Sequence, residues 1–396
     1  MIGVEVFWVS RKFTAPEQRA AGMPAAPPGS ICDQPHPRIT GVKRFDSLLL
    51  NRFDMADYGS PEAAAKLIEA YYQKGWTDGF PVIPPSQSSI AAMLSAAGMS
   101  GDQAVARIAT RNLVITADKI AVNAVMAGCL PEYMPVILSA VRGMCHPDFN
   151  YHGMATSTGG AALTVIVNGP IVNELNINSG ENLFGPGNRA NMTIGRALRL
   201  LMMNSLNTRP GALDRSTIGT PAKISFCFAE NERFSPWDPL HVERGFRLED
   251  STTTVLATED IIQVYNQLAQ TPQPLLASMA DALANMGSLN IISQRDVVVV
   301  LAQEHLRVIS EAGWSKQQVK QCLFDKARRS VAELKRVARM AGSVQPGDET
   351  TWRHVVGGPD DIIVVCAGGA VGTFSACLLG WGGSRSATGT VTTPIQ

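Results

Sequence analysis

Three short runs of apolar, largely β-branched residues most constrain what this chain can become: Ala161 to Val167, Val297 to Leu301, and Ile362 to Gly369. They are continuous rather than alternating, so both faces of each strand want cover. That is the pattern of central strands in an α/β sheet. The first run closes on Asn168-Gly169-Pro170, and its carboxyl end is a natural place for a site, because ligands of open α/β sheets sit beyond the carboxyl ends of strands.

Helix signals lie between and around these strands. Ser60 caps a helix with Pro61 at its first position, and Gly75 stops it. Thr116 and Gly128 bound a helix over Ala117 to Ala127, and Pro131 opens another that runs to Met144. Lys223 to Ala229 reads as a further strand. After Asp250 come a strand (Thr252 to Ala257), helices over Asp260 to Leu268 and Pro274 to Ala284, the strand Val297 to Leu301, then three helices. Ser315 with Gln318, and Ser330 with Glu333, form capping boxes. The expected fold is α/β, with mixed or mostly parallel sheets flanked by helices and room for two subdomains. Its division is a poorly ordered extension over 1–54, an α/β domain over 55–250 with an anion-binding loop, and an α/β C-terminal domain over 251–396. The extension clusters Pro and Ala between Ala21 and Pro28 and holds no period. Its apolar opening lacks a basic n-region, unlike a signal peptide. It is expected to be dispensable, or else an arm that grips a neighbouring subunit.

Thirty-four basic and thirty-four acidic residues balance, so no overall field favours nucleic acid or an anionic membrane. The seven cysteines are scattered and form no CxxC pair, which points to reduced thiols in a cytoplasm. A small anionic metabolite is the expected partner, in a homo-oligomer. No cofactor is indicated by the sequence.

Asn176 to Leu200 is the stretch that most resembles a binding element: a Gly- and Asn-rich loop leads straight into a helix carrying arginines. Unpaired N–H groups at such a helix start attract carboxylate or phosphate. Asn178, Ser179, Gly187, Asn188 and Asn191 would line the anion, with Arg189 or Arg196 closing a charged fork on it. An ordinary surface loop with solvated arginines is the alternative. The Pro-rich Trp76 to Ser86 is read as a pocket-lining segment or a rigid connector.

Glu230 to Arg244 is the densest cluster of ionisable and aromatic residues in the chain. Titratable groups held by Pro236 and Pro239 suit general acid/base work. Glu230, His241 and Glu243 are the candidate catalytic groups, with Arg244 as a substrate contact; His241 and Glu243, two apart, would face one way in an extended segment. A salt-bridged surface loop fits the same residues. His152 is a further candidate acid/base. Cys129, near a helix start, is a candidate thiol nucleophile or a small buried hydrophobe. The histidine and carboxylate spacing matches no metal signature, so no metal is expected. At the far end, the glycines after Ile362 to Cys366 only partly meet a nucleotide-binding spacing. A second anion cradle using Gly369, Thr373 and Ser375 is the fairer reading.

TDGFPVIPPS, KIAVNAVMAGCLPEYMPVILSAV, INSGENLFGPGNRANMTIGRALRL, FAENERFSPWDPLHVERGF and VVCAGGAVGTFSA together resemble a family of bacterial proteins related to the UGSC (Sec-Gly-Ser-Cys) group. The resemblance spans about Gly59 to Ile395 and implies a cytoplasmic thiol- or selenothiol-linked enzyme of catabolism. This chain has no Cys-Gly-Ser-Cys, and Thr373 to Cys377 is only a loose echo, so no catalytic residue carries over. The residues themselves lead to an enzyme of lyase or hydrolase type acting on a small carboxylated metabolite. A thiol-dependent oxidoreductase using Cys129, and a non-catalytic binding or assembly subunit, are the alternatives.

Overall fold

The computed structural model describes residues 60–382 and 389–396; the expected extension over 1–54 lies outside them. The described residues form eleven strands: β1 (Ala104–Ile108), β2 (Leu113–Thr116), β3 (Ala162–Asn168), β4 (Cys227–Ala229), β5 (Thr252–Tyr265), β6 (Val297–Leu301), β7 (Arg328–Ser330), β8 (Trp352–His354), β9 (Ile362–Cys366), β10 (Phe374–Gly380) and β11 (Val391–Pro394). Seven of them make one mixed sheet in the order β4-β3-β5-β10-β6-β9, with β11 added beside β5. β3 with β4 and β6 with β9 are parallel, and the other pairings are antiparallel. The sheet curls into a half-barrel flanked by helices, an α/β fold.

Alternation along each strand sorts side chains between the inside and the outside of that curl. Ile166, Phe226, Phe228, Leu256, Val298, Val300, Ile363, Val365 and Leu378 fill the interior. Their neighbours face outward into two separate helical layers. Val165, Val167, Cys227 and Val255 pack under α1 (Ala117–Ala127), α2 (Met134–Met144) and α3 (Arg189–Asn204). Val297, Val299, Val364 and Leu379 pack under α4 (Pro272–Leu283), α5 (Gln303–Glu311) and α6 (Lys316–Lys326). This is why the strand runs are apolar without a break. No helix among the described residues is long and apolar enough to cross a membrane.

The division at residue 250 runs through this sheet: β3 and β4 lie before it, and β5, which pairs with β3 over seven positions, lies after it. What reads as two subdomains is two helical layers on one sheet. β5 itself differs from expectation. Asp260 to Leu268 is not a helix, because Ile261, Ile262 and Val264 continue the strand and pair with β10. β-branched residues lose rotamer freedom in a helix and fit a pleated surface. β11 covers the other half of β5, where the hydroxyls of Ser139 and Thr253 (2.7 Å) and of Thr254 and Thr392 (2.9 Å) bond one another. Residues 223–226 precede β4 instead of belonging to it. The helix expected from Pro131 starts as a 3₁₀ turn, with α2 beginning at Met134. The capping boxes at Ser315 and Ser330 are both formed.

Candidate functional site at the carboxyl ends of the strands

The edge strands β4 and β9 approach each other where the curl leaves the barrel open. Asn231 N donates to Cys366 O at 2.6 Å, and the Asn178 to Glu181 loop bridges the same gap. Asn178 O accepts from Ala229 N (3.2 Å), Ser179 O from Gly368 N (2.9 Å), and Glu181 Oε1 from Ala370 N (3.4 Å). A Cβ at Gly369 would come within 3.1 Å of Glu181 Cγ, so a small residue suits that contact. Leu183 enters the interior cluster, and Phe184 stands edge-on to Phe226 and Phe228 at 5.5 and 5.1 Å. The loop thus joins the segment that begins at Glu230.

Glu230 is 1% exposed. Its Oε2 accepts from Asn168 Nδ2 (2.7 Å) and Leu240 N (2.8 Å), while Oε1 has only a long contact with Cys366 N (3.5 Å). Burial pushes its pKa above the ordinary 4.5, against the pull of Lys316 and these hydrogen bonds. The same Asn168 amide donates to Glu232 Oε1 at 2.9 Å, and Gly169 N does so at 2.7 Å. Glu232 keeps 24% of its side chain in solvent. His241 is wholly buried, with Nε2 3.3 Å from Leu248 O and Nδ1 3.7 Å from Glu232 Oε1. Nδ1 has no hydrogen-bond partner among the described residues. With Nε2–H given to a carbonyl, Nδ1 is the basic nitrogen and faces a carboxylate.

Several expected site residues stand elsewhere. Leu240 to Glu243 is a turn of helix, so His241 and Glu243 do not face one way. Glu243 instead pairs with Lys316 (2.9 Å) and Lys320 (3.2 Å). At the start of α3, Asn188 Oδ1 takes the Asn191 N–H, and the Asn191 side chain is exchanged with the Asn178 backbone. Gly187 turns the chain before that cap at φ +131°. Arg189 donates to Gly128 O, and Arg196 grips Asp78 at 2.7 and 2.8 Å. Arg196 is thus neutralised by Asp78, whereas Arg189 spends one edge of its guanidinium on a neutral carbonyl. His152 is exposed on a short helix before the amino end of β3, while Asn168 ends that strand of seven residues, which spans about 20 Å at strand rise. Arg244, by contrast, stays at the end of the helical turn that carries His241, exposed and without an ion-pair partner among the described residues. Ser375 Oγ is held by Ala302 N (3.2 Å) and His305 Nδ1 (2.8 Å), and the glycine turn before it leads into β10, not a helix. That geometry suits neither an anion cradle nor a nucleotide-binding turn.

No known protein family matches the chain, and no curated protein does.

Burial pushes the Cys129 thiol up to about 12, and its Sγ donates to Thr193 O. Cys145, Cys227, Cys366 and Cys377 are raised to about 12 by burial as well. Among the described residues no group of three His, Cys, Asp or Glu is placed to hold a metal. Sequence reasoning missed Asn168 as the donor shared by the two carboxyls, seeing only a turn residue there. It missed Lys316 and His305 entirely, since neither position carries a local signal.

Proposed function

We propose that the protein is an enzyme of lyase or hydrolase type that acts on a small carboxylated metabolite by acid/base catalysis at the joint between β3, β4 and the Asn178 to Glu181 loop. One observation carries this reading: a single amide, Asn168 Nδ2, holds two carboxyl groups in opposite surroundings, Glu230 sealed from water and Glu232 open to it beside His241. Carboxyls held in unlike environments differ in what they can do: the open one can meet a substrate, while the sealed one fixes the amide between them. Glu232 is the base, with His241 Nδ1 taking up the proton. Glu230 is the positioning group behind them. Arg244 is the cation offered to the substrate carboxylate. The raised thiols disfavour the thiol chemistry that a UGSC-like relationship implies. A cytoplasmic homo-oligomer belongs to the same proposal.

A non-catalytic binding subunit is the second reading. It needs only hydrogen-bond donors and acceptors at the site and no perturbed titratable group that meets the ligand. Proton NMR of the purified protein with a panel of hydroxy, keto and unsaturated carboxylates separates the two. The enzyme reading expects one compound to be consumed, with kcat lowered at least about a hundredfold in Glu232→Gln and His241→Gln and KM little changed. Saturable binding without turnover, or turnover in both variants equal to that of the wild type, overturns it.

A further inference from the structure

A cavity of about 410 Å³ opens at the other end of the β3/β4 pair, walled by Arg199 of α3 and by the segment from Pro210 to Lys223. It lies at the amino ends of the strands. Thr217 N donates to Thr158 O just before β3, Gly160 and Gly219 pack backbone to backbone, and Lys223 shortly precedes β4. The carboxyl pair of Glu230 and Glu232 is at the opposite end, so the cavity is a separate place.

Its charge is organised around Asp214. That carboxylate receives Lys223 Nζ at 3.0 and 2.9 Å, Ser216 N and Oγ, and Arg199 Nη2 at 3.2 Å. Burial alone would raise its pKa, yet the Ser216 and Lys223 hydrogen bonds hold it down at about 2. It is therefore an anion at any physiological pH. Among the lining residues two cations, Arg199 and Lys223, stand against the one anion Asp214, while the Asp260 carboxylate lies behind the Thr220 hydroxyl. Asp214 fixes the geometry of both cations but occupies only one nitrogen of the arginine. Nη2 alone has a protein partner among the described residues, and a guanidinium carries five N–H groups in a planar fork. Arg199 keeps its side chain 11% exposed and lines the cavity. Thr220 is not a competing donor, because its hydroxyl is given to Asp260. Pro210, Pro221 and Ile218 supply an apolar wall, and Ile218 is 93% exposed. A large side chain left so bare beside a charged fork is placed to cover a bound ligand's apolar body. The volume falls in the range of small-molecule sites, about 300 to 1,000 Å³.

We infer that this cavity binds an oxyanion of metabolite size, a phosphate ester or carboxylate with an apolar body, through the free edge of the Arg199 guanidinium, with Ile218 against the body.

Isothermal titration of the full chain with inorganic phosphate, phenyl phosphate and benzoate tests this. Phenyl phosphate or benzoate should bind saturably below millimolar concentration, and whichever is tighter names the oxyanion. Inorganic phosphate should bind more weakly, since it gains nothing from Ile218. Arg199→Gln should weaken binding about tenfold or more. Ile218→Ser should bring phenyl phosphate down to the affinity of inorganic phosphate. Asp214→Asn, which removes the competing anion, should tighten binding if the variant is folded, an opposite sign that a merely disrupted site would not give. Ile218→Ser touches no packed residue, so its result stands even if the Arg199 and Asp214 variants fail to fold. No saturable binding of either aromatic anion up to about 10 mM, the weak end of specific ligand affinity, or binding unchanged in Arg199→Gln and Ile218→Ser, overturns the inference.

Discussion

Replacing Glu230 by glutamine should change how stability depends on pH, and the direction follows from the contacts. A carboxyl whose pKa is raised by folding keeps its proton in the native state over a range where the unfolded chain has lost it. Between the ordinary value of 4.5 and the raised one, the native state binds more protons, so stability falls as pH climbs. Each unit of separation costs about 1.4 kcal/mol at neutral pH. The Glu230→Gln variant would have no such slope. With its amide oxygen at the Oε2 position it keeps the donors Asn168 Nδ2 and Leu240 N, and it gives up only the 3.5 Å contact from Cys366 N. That loss is worth about 1 kcal/mol. The variant should therefore be slightly less stable at pH 4 and should gain on the wild type as pH rises. Glu259 and Asp361 are also raised by burial, but both proteins share them and the difference cancels their effect. Urea denaturation of the two proteins from pH 4 to pH 8 gives that difference directly. If it is constant across the range, the buried carboxyl is not resisting ionisation and the argument for two unlike carboxyl environments fails.

Other perturbations test the surroundings. Cys129, with its thiol near 12, is almost wholly protonated at neutral pH, so iodoacetamide should alkylate it far more slowly in the native protein than in urea, and Cys129→Ser should leave any turnover within a few-fold. Asp78→Asn strips Arg196 of its bidentate partner at a site where the carboxylate is 4% exposed, and should cost about 3 kcal/mol in a denaturant titration. Gly195→Ala places a Cβ 2.2 Å from Ser225 Oγ and 2.9 Å from Phe226 N. Ser225 can turn aside but the backbone nitrogen cannot, so the variant should lose about 1 to 3 kcal/mol by melting despite better helix propensity, and adding Ser225→Ala should not restore it.

The strands of the sheet were readable because burial on both faces leaves an uninterrupted apolar run, as in Val297 to Leu301. Asp260 to Tyr265 was misread for a related reason: its apolar residues also fit a helical face, and only the partner strand β10, more than a hundred residues away in the chain, decides the matter. At the site, Glu230 and His241 stood out by chemical density, and the loop at Asn178 and Ser179 does reach them. The arginines did not keep their expected roles. Asp78 and Gly128 O lie far from Arg196 and Arg189 in sequence, and no local pattern announces such partners. Glu243 was misplaced by one turn of helix, since a spacing of two gives one face only in an extended chain.

β11 gives the sheet a timetable. Its four residues pair with Thr252 to Val255, beneath which Ser139 of α2 meets Thr253 and Thr393. The helical layer built from residues before 250 is therefore finished by a strand near residue 394. At about 5 to 20 residues per second, a ribosome needs on the order of ten seconds to make the chain between those points. Throughout that interval the emerging polypeptide carries one flank of β5 unpaired, together with hydroxyls meant for burial. A nascent chain in this state presents an open strand edge to its neighbours, and crowded polysomes are where this fold is most exposed to mispairing.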